Sequence, residues 1–109
     1  MDQLERIEQM EKNLDAVRKA VDELDNAFTS YLACQESLYE LDNYYQSDLW
    51  MKDYEDDSSG LIPSDLKRGV LSEDAVYNLL SDNQELLIRM DEAISGLLAE
   101  RSRSKEDTK

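Results

Sequence analysis

Histidine is absent from the 109 residues, and cysteine and proline occur once each. Without histidine the chain lacks the commonest general base near neutral pH and the commonest metal ligand. Neither a Ser-His nor a Cys-His nucleophile can be assembled within it. Any chemistry would have to run on carboxylates, tyrosine, lysine or a bound cofactor, and the sequence calls for no cofactor. The lone Cys34 excludes an intrachain disulfide and reads as a small hydrophobe rather than a reactive thiol. Positive charge is also scarce: 12 Lys and Arg stand against 26 Asp and Glu, a net charge of −14. A surface this negative repels phosphates and anionic headgroups, which argues against direct nucleic-acid or membrane binding. No apolar run approaches the ~20 residues needed to cross a bilayer. The opening MDQLERIEQMEK has neither the basic nor the apolar region of a signal peptide, so a reduced, cytoplasmic protein is expected.

Glycine is the next scarcity, with none before Gly60. What fills the first 45 residues instead is a periodic apolar pattern. Ile7, Met10, Leu14, Val17, Val21, Leu24, Phe28 and Tyr31 alternate spacings of three and four without a miss, drawing one coiled-coil-like seam along a helix. Cys34 follows three residues on, then Leu38, Leu41 and Tyr45. Two successive threes make a stammer, which overwinds a coiled coil locally. The spacing predicts one continuous helix of ~44 residues, ~66 Å long at 1.5 Å per residue, with Asn26–Ser30 as the place to bend.

The stretch from Tyr44 to Leu80 must turn the chain round. It holds the only Trp, the only Pro and two of the three Gly. Ser47 is a good N-cap for a short helix from about Asp48 to Asp57, which would set Trp50 and Tyr54 on one face. Ser58-Ser59-Gly60 ends it, with Gly60 as the left-handed residue. Ser64 is placed to cap a single turn, Asp65 to Arg68, closed by Gly69. Leu71-Ser72-Glu73-Asp74-Ala75-Val76 then starts a second long helix, with Ser72 as N-cap and Leu71 stapled to Val76. Its seam runs Val76, Leu80, Asn83, Leu87, Met90, Ile94 and Leu97, with Asn83 as the polar member that fixes register.

The fold class read from these patterns is all-α. Two long helices pack as an antiparallel pair with a short crossover helix at one end, forming an elongated three-helix bundle. The shared seam is expected to cover residues 14–45 and 76–97. Residues 1–100 form a single helical domain, and 101–109 a disordered polar tail. The crossover aromatics form a satellite core, with Trp50 and Tyr54 against Leu41, Tyr45 and the helix start near Tyr77.

Trp50-Met51-x-Asp53-Tyr54 and Asp65-Leu66-Lys67-Arg68-Gly69-Val70-Leu71-Ser72-Glu73-Asp74 are the most specific strings in the chain. On them, and over roughly Glu5 to Ile94, the sequence resembles a family of small bacterial helical proteins classified only as a domain of unknown function. The resemblance implies a small, cytoplasmic, mainly helical bacterial protein. It carries no activity, substrate or catalytic residue.

The candidate sites are few. Asp53, Glu55, Asp56 and Asp57 invite a divalent-cation reading, but an EF-hand begun at Asp53 needs Gly and Glu where the chain has Ser58 and Ser64. Ser64-x-x-Lys67 imitates a penicillin-binding nucleophile motif without its companion motifs. Lys67-Arg68-Gly69 has the parts to hold a phosphate or carboxylate, against the simpler pairing of both cations with carboxylates such as Asp53 or Asp65. Trp50, Asp53, Tyr54, Asp65, Lys67 and Arg68 make up the candidate interaction surface. Leu4, Ile7 and Met10, left uncovered by a shorter second helix, are the candidate self-association patch of a homodimer. Together these features describe an acidic interaction or adaptor protein without catalysis, whose partner is another protein. The alternatives are an acidic nucleic-acid mimic that binds a basic protein, and a cation-dependent carboxylate enzyme.

Overall fold

A computed structural model describes residues 2–107. Those residues are all-α. Four α-helices and one 3-10 turn follow in the order α1 (Gln3–Ala33), α2 (Gln35–Tyr45), α3 (Asp48–Ser58), the 3-10 turn (Gly69–Leu71) and α4 (Ala75–Asp107). The contacts divide the chain into two compact units, Met1–Glu40 and Leu41–Lys109, with the division inside α2.

The first unit is α1 and the start of α2. Asp2 caps α1 by accepting a hydrogen bond from the Glu5 N–H at 2.8 Å. The continuous 44-residue helix expected from the seam is not formed. The chain breaks at Cys34, where φ is −90° and ψ −1°, and not in Asn26–Ser30. The break falls on the two successive threes. A stammer asks the backbone to overwind, and the chain relieves that demand by leaving the helix for one residue. The Cys34 N–H reaches the carbonyls of Ser30 (3.2 Å) and Tyr31 (3.1 Å), and the Gln35 amide donates to the Tyr31 carbonyl at 3.1 Å. Backbone groups orphaned by the break are thus partly satisfied in place.

No residue of α1 is buried. The expected burial of its seam is corrected here: Ile7, Leu14, Val21 and Phe28 are 47–60% exposed. The C-terminal half of the α4 seam is likewise open, Ile94 at 49% and Leu97 at 61%.

The second unit holds the core. Among the described residues only Trp50, Leu71 and Val76 are buried, and all three lie here. The local signals read from sequence position them. Ser47 accepts from the Trp50 N–H (3.4 Å) and starts α3. Gly60, at φ +76°, ends it. The Gly60 N–H bonds to the Asp57 carbonyl at 3.1 Å and the Leu61 N–H to the Asp56 carbonyl at 2.9 Å, the paired bonds of a Schellman ending. The turn placed at Asp65–Arg68 sits earlier, where the Leu66 N–H bonds to the Pro63 carbonyl at 3.2 Å, and Gly69 opens the 3-10 turn rather than closing a turn. Ser72 caps α4 through the Ala75 N–H at 3.2 Å, flanked by buried Leu71 and Val76 as a hydrophobic staple requires. Of the tail at 101–109, residues 101–107 continue α4, and 108–109 lie outside the described residues.

Candidate functional site

The aromatics crowded into the crossover do assemble. The Trp50 ring stacks on Tyr54, centroids 5.2 Å apart and planes 17° apart, and meets Tyr45 edge-on at 5.1 Å and 72°. Its Nε1–H donates to the Val70 carbonyl at 2.9 Å, tying α3 to the 3-10 turn. At 8% exposure Trp50 is a core residue and, of the six residues of the candidate interaction surface, the one that is buried. Tyr77, expected against Trp50, is instead 63% exposed, and the α4 end of the cluster is reached through Glu73.

Two phenols clamp the unit through carboxylates. Tyr44 donates to Asp53 at 2.6 Å, joining α2 to α3. Burial, then that hydrogen bond and the Asp53 charge, push the Tyr44 phenol up to about 12. Tyr54 donates to Glu73 at 2.5 Å, and this bond, then the Glu73 charge, raises its pKa above the ordinary tyrosine value. The Tyr45 hydroxyl also reaches the Glu73 carbonyl, at 3.5 Å. Glu73 therefore gathers the ends of α2 and α3 against the cap of α4.

The acidic run 53–57 is dispersed rather than convergent. Asp53 faces Tyr44, Asp56 takes Lys52 at 3.0 Å, and Asp57 takes Arg68 at 3.2 Å. A helix fans consecutive side chains around its axis, so neighbours in sequence do not meet at a point. Among the described residues no three carboxylates or cysteines are placed to share a metal ion. Lys52 is held more firmly protonated by its hydrogen bond to Asp56, and then by that group's charge.

Arg68 completes a second small constellation. Its Nη1 donates to the Pro63 carbonyl at 3.1 Å while its Nε pairs with Asp57. The guanidinium thus holds the loop 60–68 to the end of α3. A cleft of ≈ 430 Å³ lined by Asp57, Ile62, Ser64 and Arg68 lies beside it. The carboxylate that pairs with Arg68 is Asp57, whereas sequence proximity pointed to Asp53 or Asp65. Asp65 and Lys67 are exposed and stand apart from this pair. Cys34 is exposed at the α1–α2 break, not a buried hydrophobe. Leu4, Ile7 and Met10 are exposed on α1, at 69%, 50% and 53%.

One feature of the second unit was not read from the sequence. An open groove of ≈ 660 Å³ runs between the end of α2 and the first turns of α4, lined by Asp42, Tyr45, Gln46, Tyr77, Leu80 and Ile88. Tyr45 and Leu80 lie on the seams read from sequence, whereas Ile88 lies outside them. The signal available was Ile88 itself, an apolar residue beside the seam that makes α4 apolar on more than one side.

No curated protein and no solved structure matches this chain. Among the described residues no helix is long and apolar enough to cross a membrane. Residues 7–93 match a protein family described as Domain of unknown function (DUF4298), and they span most of the chain, which therefore belongs to that family.

Proposed function

We propose that this protein is a small acidic cytoplasmic interaction module that works through exposed apolar helix faces and performs no catalysis. One observation carries the reading: α1 and α4 each display apolar side chains along their length, while the buried core among the described residues is three side chains. Exposed apolar stripes of this extent mark contact surfaces. Within the second unit the groove between α2 and α4 is the docking face for a protein partner, with Tyr45, Leu80 and Ile88 as its apolar floor. The exposed carboxylates around it keep the free protein soluble and select against anionic partners.

The test is capture from a bacterial lysate at low and high salt, with wild type and Ile88→Asp compared. Ile88 is half exposed, so the variant folds while its charge spoils the groove. A partner held at both salt concentrations by wild type and lost with Ile88→Asp is the expected result. A basic partner lost at high salt and indifferent to Ile88 would replace this reading with the acidic nucleic-acid mimic. The absence of any captured protein would overturn both.

A further inference from the structure

We infer that the partner of the α1 seam is a second copy of this chain, aligned parallel and in register from Ile7 to Tyr31. The inference rests on the reading that the exposed apolar faces are contact surfaces, and it names what covers one of them. Helices in proteins owe most of their stability to packing of an apolar face. α1 is 31 residues long and buries none of them.

The repeat itself selects the kind of partner. A helix lying on a globular core has an apolar period near 3.6. A strict alternation of three and four averages 3.5, the period of a helix wound on another helix with the same repeat. With Ile7 at the first core position (a) and Met10 at the second (d), the remaining seam residues fall on a and d in turn up to Tyr31.

Charge then selects a copy of the chain and sets its direction. The chain carries −14, so like helices should repel. The positions that flank the seam escape this: they carry Arg6 and Arg18 against Glu11 and Asp25, and so are neutral. The acidic excess of α1 lies on its outer face, where Asp22 and Glu23 are already engaged by Arg18 (2.9 Å) and Lys19 (3.9 Å). In a parallel, in-register pair each flanking residue ahead of an a position meets the one five residues later on the other helix. Arg6 then meets the partner's Glu11, twice by symmetry, and no flanking pair is repulsive. At the other end Ala27 meets the partner's Leu32, which widens the apolar contact. An antiparallel pair with full overlap sets Glu11 against the partner's Asp25 and Arg18 against the partner's Arg18. Shifted antiparallel registers avoid these clashes only by leaving seam residues uncovered. The parallel pair alone uses the whole seam without conflict. It extends the contact well beyond Leu4, Ile7 and Met10, and Leu4 sits on its flank.

Sedimentation equilibrium of the full chain at low and high salt should show a species of twice the chain mass, tightening as salt screens the outer faces. Arg6→Glu should weaken the dimer roughly tenfold, and Arg6→Glu/Glu11→Arg should restore it, because only the parallel register pairs those two positions. Both residues are exposed, so neither variant disturbs folding. In a Cys34→Ser background, Val21→Cys should form an interchain disulfide on mild oxidation and Glu23→Cys, on the outer face, should not. A monomer under all conditions overturns the proposal while leaving lysate capture through the α2–α4 groove intact. A dimer that the double swap fails to restore, or in which Val21→Cys does not cross-link, overturns the parallel register.

Discussion

Trp50 is the side chain on which the second unit depends most. It is the largest of the three buried residues, it touches two aromatic rings, and its indole N–H is spent on a backbone carbonyl. Trp50→Ala should cost ~3–5 kcal/mol, the range for removing a large buried aromatic. Trp50→Phe keeps a ring but leaves the Val70 carbonyl without its donor, for ~1–3 kcal/mol. Urea unfolding followed by far-UV circular dichroism measures both, and a Trp50→Phe variant as stable as wild type would show that the hydrogen bond contributes nothing. Tyr44 gives a prediction in pH. Its phenol titrates near 12 in the folded protein against 10.0 unfolded, so above pH 10 the unfolded chain loses this proton first. Stability from Tyr44 is therefore complete below pH 10 and falls as pH rises through 12. Tyr54 is shifted in the same direction by Glu73 and adds to the slope. Tyr44→Phe should be less stable at neutral pH by about 1 kcal/mol and should lose stability less steeply between pH 10 and 12. Parallel slopes for the two proteins in that window would contradict the assignment.

Single elements show what could be read from sequence and what could not. Helix ends are decided within a few residues, so Ser47, Gly60 and Ser72 announced the limits of α3 and the start of α4. The stammer at Cys34 announced a local conflict but not its resolution, since overwinding and breaking satisfy the same spacing. The Arg68–Asp57 pair was hidden because it depends on the Schellman turn at Gly60, which brings the loop back along α3. The groove was hidden for the same reason: it exists only once Leu80 and Ile88 of α4 face Tyr45 of α2. Gly60 tests this element directly. A Cβ added there meets no atom within 4 Å, so any cost of Gly60→Ala is that of holding alanine at φ +76°. That cost is ~1–2 kcal/mol. A thermal melt unchanged from wild type would mean that the loop 59–62 adopts another ending at no cost.

At the scale of the whole molecule, stability is unevenly placed. All three buried side chains and the phenol–carboxylate clamps lie in the second unit, whereas α1 buries no side chain and carries surface pairs such as Arg18–Asp22. Exposed pairs of that kind contribute only ~0.3–0.5 kcal/mol each. Local opening follows the density of buried apolar contact, so the two units should differ in native-state hydrogen exchange. Amides in α3 and the first turns of α4 should exchange slowest, at a rate independent of protein concentration. Amides between Ile7 and Tyr31 should behave differently. Covered by a second copy they are protected, and dilution below the dimer dissociation constant uncovers them. Added salt should act in the opposite direction from dilution, because a net charge of −14 on each chain opposes association until it is screened. Exchange followed by mass spectrometry over a hundredfold range of concentration separates these cases. Protection of α1 that rises with concentration and salt, beside constant protection around Trp50, is the expected outcome. Protection of α1 that is high and constant at every dilution would mean that its seam is covered within the single chain, by a rearrangement that buries Val21 and Leu24.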